Sequence, residues 1–106
     1  MAKYFWHGSY SVEGIKGVRK EGGTGRVKAV EALVRSVGGS LDSFYFGFGG
    51  DDFYIIVDLP DNIRAAAVST AVAATGAARV ETVVLLTPQD VDAAAKTNVE
   101  YRAPGT

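Results

Sequence analysis

Alternating hydrophobic and polar positions, punctuated by glycine and proline, divide this chain into predicted strands and helices. Two aromatic and β-branched runs, Leu41 to Phe48 and Phe53 to Leu59, flank the short segment Gly49-Gly50-Asp51-Asp52, which predicts a β-hairpin. The second run is apolar at both alternating sets of positions, as is typical of a strand covered on both faces. We therefore expect this hairpin to organise the sheet, with its second strand in a central position.

The stretch before the hairpin predicts a strand followed by an interrupted helix. Lys3 to Tyr10 alternates aromatic side chains between two faces, which favours a first strand. Ser11 is a candidate N-cap for a helix, and the glycine-rich segment 22–25 is expected to break or bend that helix. The helical pattern then resumes, and Gly38-Gly39 ends it. Its apolar stripe consists of Val27, Val30, Leu33, Val34 and Val37.

The stretch after the hairpin predicts a second helix, a fourth strand and a short third helix. Asp61 precedes an alanine-rich segment of high helix propensity, which Gly76 closes. Arg79 to Leu86 is rich in β-branched residues and predicts a strand. Thr87-Pro88-Gln89-Asp90 has the pattern of a capping box, so we expect a short helix from there to about Lys96.

The predicted order of elements is strand, helix, strand, strand, helix, strand, which defines an α+β fold. This βαββαβ order is that of ferredoxin-like domains, which have a four-stranded antiparallel sheet with both helices on one face. We expect residues 1–97 to form this single domain and residues 98–106 to form a C-terminal tail. Because the other face of the sheet would carry aromatic side chains, we expect a second copy of the chain to cover it.

Composition narrows the classes of function. With 106 residues, 47% of them hydrophobic and 22% charged, the chain has the composition of one ordinary globular domain. A net charge of -1 without runs of like charge argues against nucleic acid or an anionic membrane as partner. No cysteine and a single histidine leave no thiolate or multi-histidine metal site within one chain, so we expect no metal and no cofactor.

The N-terminal residues MAKYFWHGS lack the apolar core and cleavage pattern of a signal peptide. No segment approaches the roughly 18 apolar residues of a membrane span. We therefore expect a cytoplasmic protein.

Few side chains in the chain are suited to chemistry. Histidine is the residue type that serves most often as an acid or base near neutral pH, so His7 is a candidate general base or ligand on a central strand, with a hydrogen-bonded structural histidine as the alternative. Asp52, beside Asp51, is a candidate acid/base group or cation ligand, although Asp in a hairpin turn commonly satisfies its own backbone. Tyr45 and Tyr54 lie on neighbouring strands, where their hydroxyls either enter a cavity or the rings simply pack.

The segment Gly22 to Arg26 precedes a helix and has Arg26 and Lys28 near that helix start, which suggests an anion site. Its spacing matches neither the P-loop nor the dinucleotide-binding pattern. A flexible connection is the expectation here.

Several motifs together give the chain a resemblance to the GYD-domain family, from Tyr4 to about Asp90. These motifs are YSVEGIK at residues 10–16, GGSLDSFYFGFG at residues 38–49, and a turn that keeps Gly49 and Asp52 of Gly-x-Tyr-Asp with Asp51 in place of the tyrosine. The resemblance implies a ferredoxin-like fold related to the dimeric α/β-barrel proteins, in which two open sheet faces close around a cavity. It implies no particular activity.

Three classes of function follow from these observations. In the first, which we favour, a homodimer or larger assembly of dimers binds a small, largely apolar ligand in an inter-subunit cavity lined by Trp6, His7, Tyr45 and Tyr54. In the second, a cofactor-independent enzyme resembling monooxygenases or isomerases uses His7, Asp52 and Tyr54 on an aromatic or carbonyl substrate. In the third, the aromatic face serves assembly alone.

Overall fold

The computed structural model describes residues 1–47 and 49–106, which form a four-stranded antiparallel sheet with two long helices against one face. Phe48, which the sequence places at the end of the second strand, lies outside the described residues. The elements in chain order are β1 Ala2–Tyr10, α1 Val12–Ser36, β2 Ser40–Phe46, β3 Phe53–Leu59, α2 Asn62–Ala74, β4 Ala78–Leu85 and α3 Pro88–Ala95.

The strand order is β2-β3-β1-β4. This order confirms the predicted α+β architecture, with the first and third strands central and the second and fourth at the edges. β1 pairs in antiparallel fashion with both β3 and β4, and β2 pairs with β3. A register shift between Leu41 and Ser43 marks an irregularity in the β2 edge.

The core lies between the sheet and the two long helices. Every second residue of β1 and β3 points toward the helices because side chains alternate between the faces of a strand. The buried residues are Tyr4, Trp6, Phe53, Ile55, Val57 and Leu59 from the sheet, Val30 and Val34 from α1, and Ala65 and Val68 from α2. The hydroxyl of Tyr4 donates to Oδ1 of Asn62 at 2.6 Å, so this buried phenol has a partner at the start of α2.

Within one chain, β3 is covered on only one face. Its helix-facing residues are buried, whereas Tyr54 is 38% exposed and Ile56 is partly buried. The apolar character on both faces of β3 is therefore not explained by contacts inside this chain.

The predicted interruption of the first helix is a kink at one residue. Gly22 has φ 81 and ψ 165, outside the helical region, and φ of this sign favours glycine. Residues 23–25 are helical, so the expectation of a flexible connection is wrong. The chain resumes the helix at once, and an ion pair between Arg26 Nη1 and Glu21 Oε1 at 3.2 Å bridges the kink.

Helix ends follow the sequence signals. The side chain of Ser11 accepts from the Gly14 amide at 3.1 Å, and Asp61 accepts from the Arg64 amide at 2.9 Å. Thr87 and Asp90 form the complete capping box of α3. These contacts confirm the three predicted N-caps.

The helix α3 and the residues after it are exposed to solvent throughout, and Tyr101 is 77% exposed. These residues add nothing to the buried core. The sheet and its two long helices therefore account for the core of the described structure.

Gly14 and Gly17 both lie near the start of α1, but only Gly14 is crowded. A methyl group at Gly14 would overlap the carbonyl oxygen of Ala77, whereas at Gly17 it would meet nothing within 4 Å. We expect Gly14→Ala to lower the free energy of unfolding by about 1 to 3 kcal/mol, through overpacking. Gly17→Ala should raise it by about 0.8 to 1 kcal/mol, through helix propensity. Thermal unfolding of both variants is the measurement, and a neutral Gly14→Ala would show that α1 does not approach residue 77 this closely.

Candidate functional site

The face of the sheet opposite α1 and α2, called here the open face, carries the side chains that alternate with the buried ones. On β1 it presents Lys3, Phe5, His7 and Ser9, since Tyr4, Trp6 and Gly8 point to the core. None of the helices in residues 1–47 and 49–106 packs on it: α1 and α2 lie on the other side, and α3 is exposed throughout. The open face therefore presents aromatic and titratable side chains together.

His7 lies at the centre of the open face between two carboxylates. Its Nδ1 is 2.7 Å from Oδ2 of Asp51, and its Nε2 is 3.3 Å from Oε2 of Glu81. The fold produces this arrangement because Glu81 is the cross-strand partner of His7 on β4, while Asp51 lies two residues before the start of β3. The His7 side chain is 21% exposed, so solvent and small molecules reach it only in part.

This arrangement gives His7 two chemical states of interest. When the neutral ring carries its proton on Nδ1 and donates it to Asp51, Nε2 is left as a proton acceptor. When both nitrogens are protonated, each ring N–H faces one of the two carboxylates. Glu81 is also held by Nη1 of Arg79 at 2.8 Å, so the carboxylate near Nε2 already has a cationic partner.

An aromatic platform, formed by Phe5, His7 and Tyr54, extends across the two central strands. The Phe5 and His7 rings stack with centroids 5.2 Å apart, and the Phe5 and Tyr54 rings lie 6.3 Å apart at an interplanar angle of 15°. Tyr54 is the cross-strand partner of both His7 and Tyr45, and Tyr45 is 72% exposed at the β2 edge. The platform thus offers a flat apolar surface beside one hydrogen-bonding ring.

The structure separates Trp6 from the other predicted ligand-binding residues. Trp6 is 3% exposed and lies among the core residues on the helix-facing side of the sheet. Because neighbouring residues of a strand point to opposite faces, Trp6 and His7 do not share a surface. The sequence grouping of Trp6 with His7, Tyr45 and Tyr54 is therefore not what the fold brings together.

Asp52 has a structural partner. Its Oδ2 accepts from the backbone N–H of Tyr10 at 2.9 Å, and its own N–H donates to the carbonyl of Gly8 at 2.7 Å. The sequence predicted that this aspartate satisfies the backbone of its own turn, whereas in the structure its side chain accepts from a backbone N–H of β1. It is Asp51 that contacts His7 through its side chain.

Sequence reasoning placed neither Asp51 nor Glu81 at His7. The position of Glu81 opposite His7 follows from strand pairing once β4 is placed beside β1. Asp51 stands at the tyrosine position of the Gly-x-Tyr-Asp pattern. This departure is the one signal in the sequence that marks residue 51 as unusual. The path of the loop that carries it toward β1 has no periodic signature.

We expect Asp52→Ala to destabilise the fold without disturbing the chemistry of His7. Removing the acceptor of the Tyr10 amide should cost about 0.5 to 2 kcal/mol, as loss of a side-chain acceptor for a backbone N–H does at helix caps. Thermal unfolding measures the loss, and the His7 ring signals in an NMR spectrum serve as the control. Unchanged stability with altered His7 signals would contradict the structural role.

Charged groups elsewhere on the open face are paired. Nζ of Lys3 lies 3.0 Å from Asp58 and 3.1 Å from Asp42. The hydrogen bonds to Asp58 and then to Asp42 raise the pKa of the Lys3 amine above its usual value. On the helix-facing side, burial raises the pKa of the Tyr10 hydroxyl, and the nearby Arg26 charge opposes that shift. The cluster of Lys3, Asp42 and Asp58 lies at the end of β1 remote from His7.

Two features are absent from the part of the chain that the structure describes, namely a metal-binding cluster and a membrane-spanning helix. No group of three or more His, Asp or Glu side chains is arranged there to hold a metal ion. None of the described helices combines the length and hydropathy that crossing a bilayer requires.

Comparison with known proteins identifies the family. Curated proteins and solved structures gave no match to the chain. The family model of the GYD domain matches residues 4–95, from the first buried residue of β1 to the last residue of α3. Since this match spans most of the 106 residues, the chain belongs to the GYD-domain family.

Proposed function

We propose that the protein is a homodimer, or an assembly of such dimers, in which two open faces enclose a cavity that binds a small, largely apolar ligand beside His7. The observation that carries this proposal is the aromatic platform with a carboxylate-held imidazole in it. An apolar surface with a few fixed polar groups is the usual composition of a small-molecule site.

Exposed apolar side chains on the open face support the pairing of two copies. Tyr45 on β2 is 72% exposed, Val83 on β4 is 42% exposed and Tyr54 on β3 is 38% exposed. Phe5 and Ile56, which are partly buried, lie on the central strands β1 and β3. Contiguous apolar patches beyond a few hundred Å² are uncommon on monomers and typically mark binding surfaces. A two-fold arrangement would place the same patch opposite itself, as isologous dimers do.

The chemistry around His7 suggests what the ligand carries. The platform favours a flat apolar body, and Nε2 of His7 favours one hydroxyl or similar donor at the edge of that body. Glu81 lies on the same side of the ring, 3.3 Å from Nε2, and accepts hydrogen bonds as well. A neutral aromatic alcohol matches this combination better than an anion, which two carboxylates would repel.

Binding of 2-naphthol tests the proposed ligand site. We expect it to shift the His7 ring signals in NMR spectra, and we expect His7→Ala to weaken binding by about tenfold, as loss of one well-placed hydrogen bond does. His7→Ala should leave the sedimentation coefficient unchanged. Asp52→Asn serves as the matched variant, since Asp52 contacts β1 and not the platform. If Asp52→Asn abolished binding without any change in melting, and His7→Ala left binding intact, the hairpin loop would be the site.

A cofactor-independent enzyme is the second candidate, and the distance of 2.7 Å between His7 and Asp51 favours it. A histidine oriented by a carboxylate is the arrangement that general-base catalysis uses. The pair consists of His7 with Asp51, in place of the His7 and Asp52 suggested by the sequence. Asp51→Asn separates the two candidates, because it would remove most of a turnover activity while a binding site would lose little affinity.

A further inference from the structure

A second cavity lies on the other side of the sheet, between α1 and α2, and is called here the inter-helix cleft. Its volume is about 480 Å³. Its floor and walls are mostly apolar and include Trp6, Val30, Leu33, Ile55, Val68 and Val72. This volume falls within the range of about 300 to 1,000 Å³ typical of small-molecule sites.

The cleft exists because the two helices rest on different strands. α1 packs mainly on β2 and β1, while α2 packs mainly on β4 and β3. The side chain that α2 directs to the cleft at position 71 is only the methyl group of an alanine, and it remains exposed. Neither helix therefore fills the space above Trp6.

Two of the polar groups at this cleft, the Trp6 indole and the Arg26 guanidinium, are hydrogen-bond donors. The indole N–H of Trp6 is buried and has no hydrogen-bond partner among the described residues. Arg26 lies on the wall with about a third of its side chain exposed, and its contact with Glu21 engages one of its nitrogen atoms. The hydroxyls of Ser69 and Thr75, which also line the cleft, are already bonded to Thr82 and to the Val72 carbonyl.

We propose that the inter-helix cleft binds an apolar monocarboxylate, with its hydrocarbon part against Trp6 and its carboxylate at Arg26. A cationic donor on the wall of an apolar cleft favours a ligand that joins an acceptor to an apolar body, because each end of such a ligand then meets a matching surface. Arginine presents five N–H groups in a fork that matches a carboxylate, so the single contact with Glu21 leaves donors free for a second anion.

This site is independent of the one proposed around His7. The two lie on opposite faces of the same sheet, and the carboxylate class suited to Arg26 is the class that the open face disfavours. Failure of either proposal would leave the other intact.

Intrinsic fluorescence provides the readout, because Trp6 is the sole tryptophan of the chain. We expect decanoate, added to the full chain below its aggregation concentration, to produce a saturable change in Trp6 emission. Decanol should bind at least about tenfold more weakly, since it lacks the charge that a bidentate arginine contact uses. Absence of a saturable change with decanoate would overturn the proposal. The same result is expected if a second copy of the chain or the C-terminal segment already fills the cleft, and it would overturn the proposal in that case too.

Two substitutions with opposite expected effects on affinity test the proposed contact between the carboxylate and Arg26. Arg26→Gln should weaken decanoate binding by about tenfold, whereas Glu21→Gln should strengthen it by releasing Arg26. Arg35→Gln is the matched control, since Arg35 forms a comparable exposed pair with Glu31 on the same helix, at 3.7 Å and away from the cleft. Equal affinity of wild type and Arg26→Gln for decanoate would contradict the proposal.

Filling the cleft tests its apolar end. Ala71→Phe should abolish the fluorescence response to decanoate, and Ala74→Phe, on the same helix but outside the cleft, should preserve it. Circular dichroism confirms that both variants fold. Should Ala71→Phe fail to fold, Val72→Phe makes the same test from the neighbouring wall position. A response that persists in a folded, filled variant would place decanoate elsewhere and overturn the proposal.

Discussion

Val34→Asp is expected to unfold the protein at room temperature. Val34 is fully buried on the stripe of α1 that meets the sheet, and no cationic side chain is among the buried residues of the core. Burying an unpaired carboxylate there, or protonating it, costs several kcal/mol. A domain of this size has a total stability of about 5 to 15 kcal/mol. The expected result is loss of the cooperative thermal transition.

Glu31→Ala is the control for this prediction, one turn earlier on the same helix. Glu31 forms only an exposed pair with Arg35, so its loss should change stability by less than about 0.5 kcal/mol. Equal melting midpoints for Val34→Asp and wild type would mean that α1 presents a different face to the sheet.

Phe5→Asp is expected to separate the proposed dimer into folded monomers. Phe5 stacks with both His7 and Tyr54 at the centre of the open face and is not among the buried core residues. In a two-fold dimer one substitution introduces two unpaired charges into the interface. We expect the dimer dissociation constant to rise by about 100-fold or more, as loss of a central aromatic anchor does.

Sedimentation equilibrium measures this change, and circular dichroism confirms that the monomer is folded. Ile63→Asp is the matched control, because Ile63 is 74% exposed in the first turn of α2, away from the open face. Ile63→Asp should leave association unchanged. If both substitutions weakened association alike, the loss would reflect surface charge and not the open face.

The sequence predicted most of the fold because each element carries a periodic or capping signal of its own. The stripe containing Val30 and Val34 marks the buried face of α1, and both residues are buried. Ser11, Asp61 and Thr87 mark helix starts, and all three act as N-caps. These signals depend on contacts between residues a few positions apart, so they can be recognised in the sequence alone.

The candidate site was harder to predict because it depends on contacts between distant segments. The two-residue period of β1 was enough to separate Trp6 from His7, yet aromatic content alone suggested a shared cavity. Asp51 follows His7 by 44 positions in the sequence and contacts it from the segment before β3. No local pattern encodes such a path, so the partner of His7 became evident only from the three-dimensional structure.

The kink in α1 shows a third kind of limit. Several glycines in a row predict an interruption, but they do not say how many residues leave the helix. Only Gly22 does so, and the pairing of Glu21 with Arg26 across it accompanies the return to helical geometry.

Native mass spectrometry of the purified wild-type chain tests the central claim most directly, because it reports the number of subunits and any bound small molecule together. The account predicts a dimer of about 22.2 kDa, twice the 11.1 kDa of one chain, or an even multiple of chains. Additional mass from a small ligand would be released on denaturation. A single species at 11.1 kDa across micromolar concentrations, with the chain folded and stable, would contradict the pairing of open faces and the cavity that it is proposed to enclose.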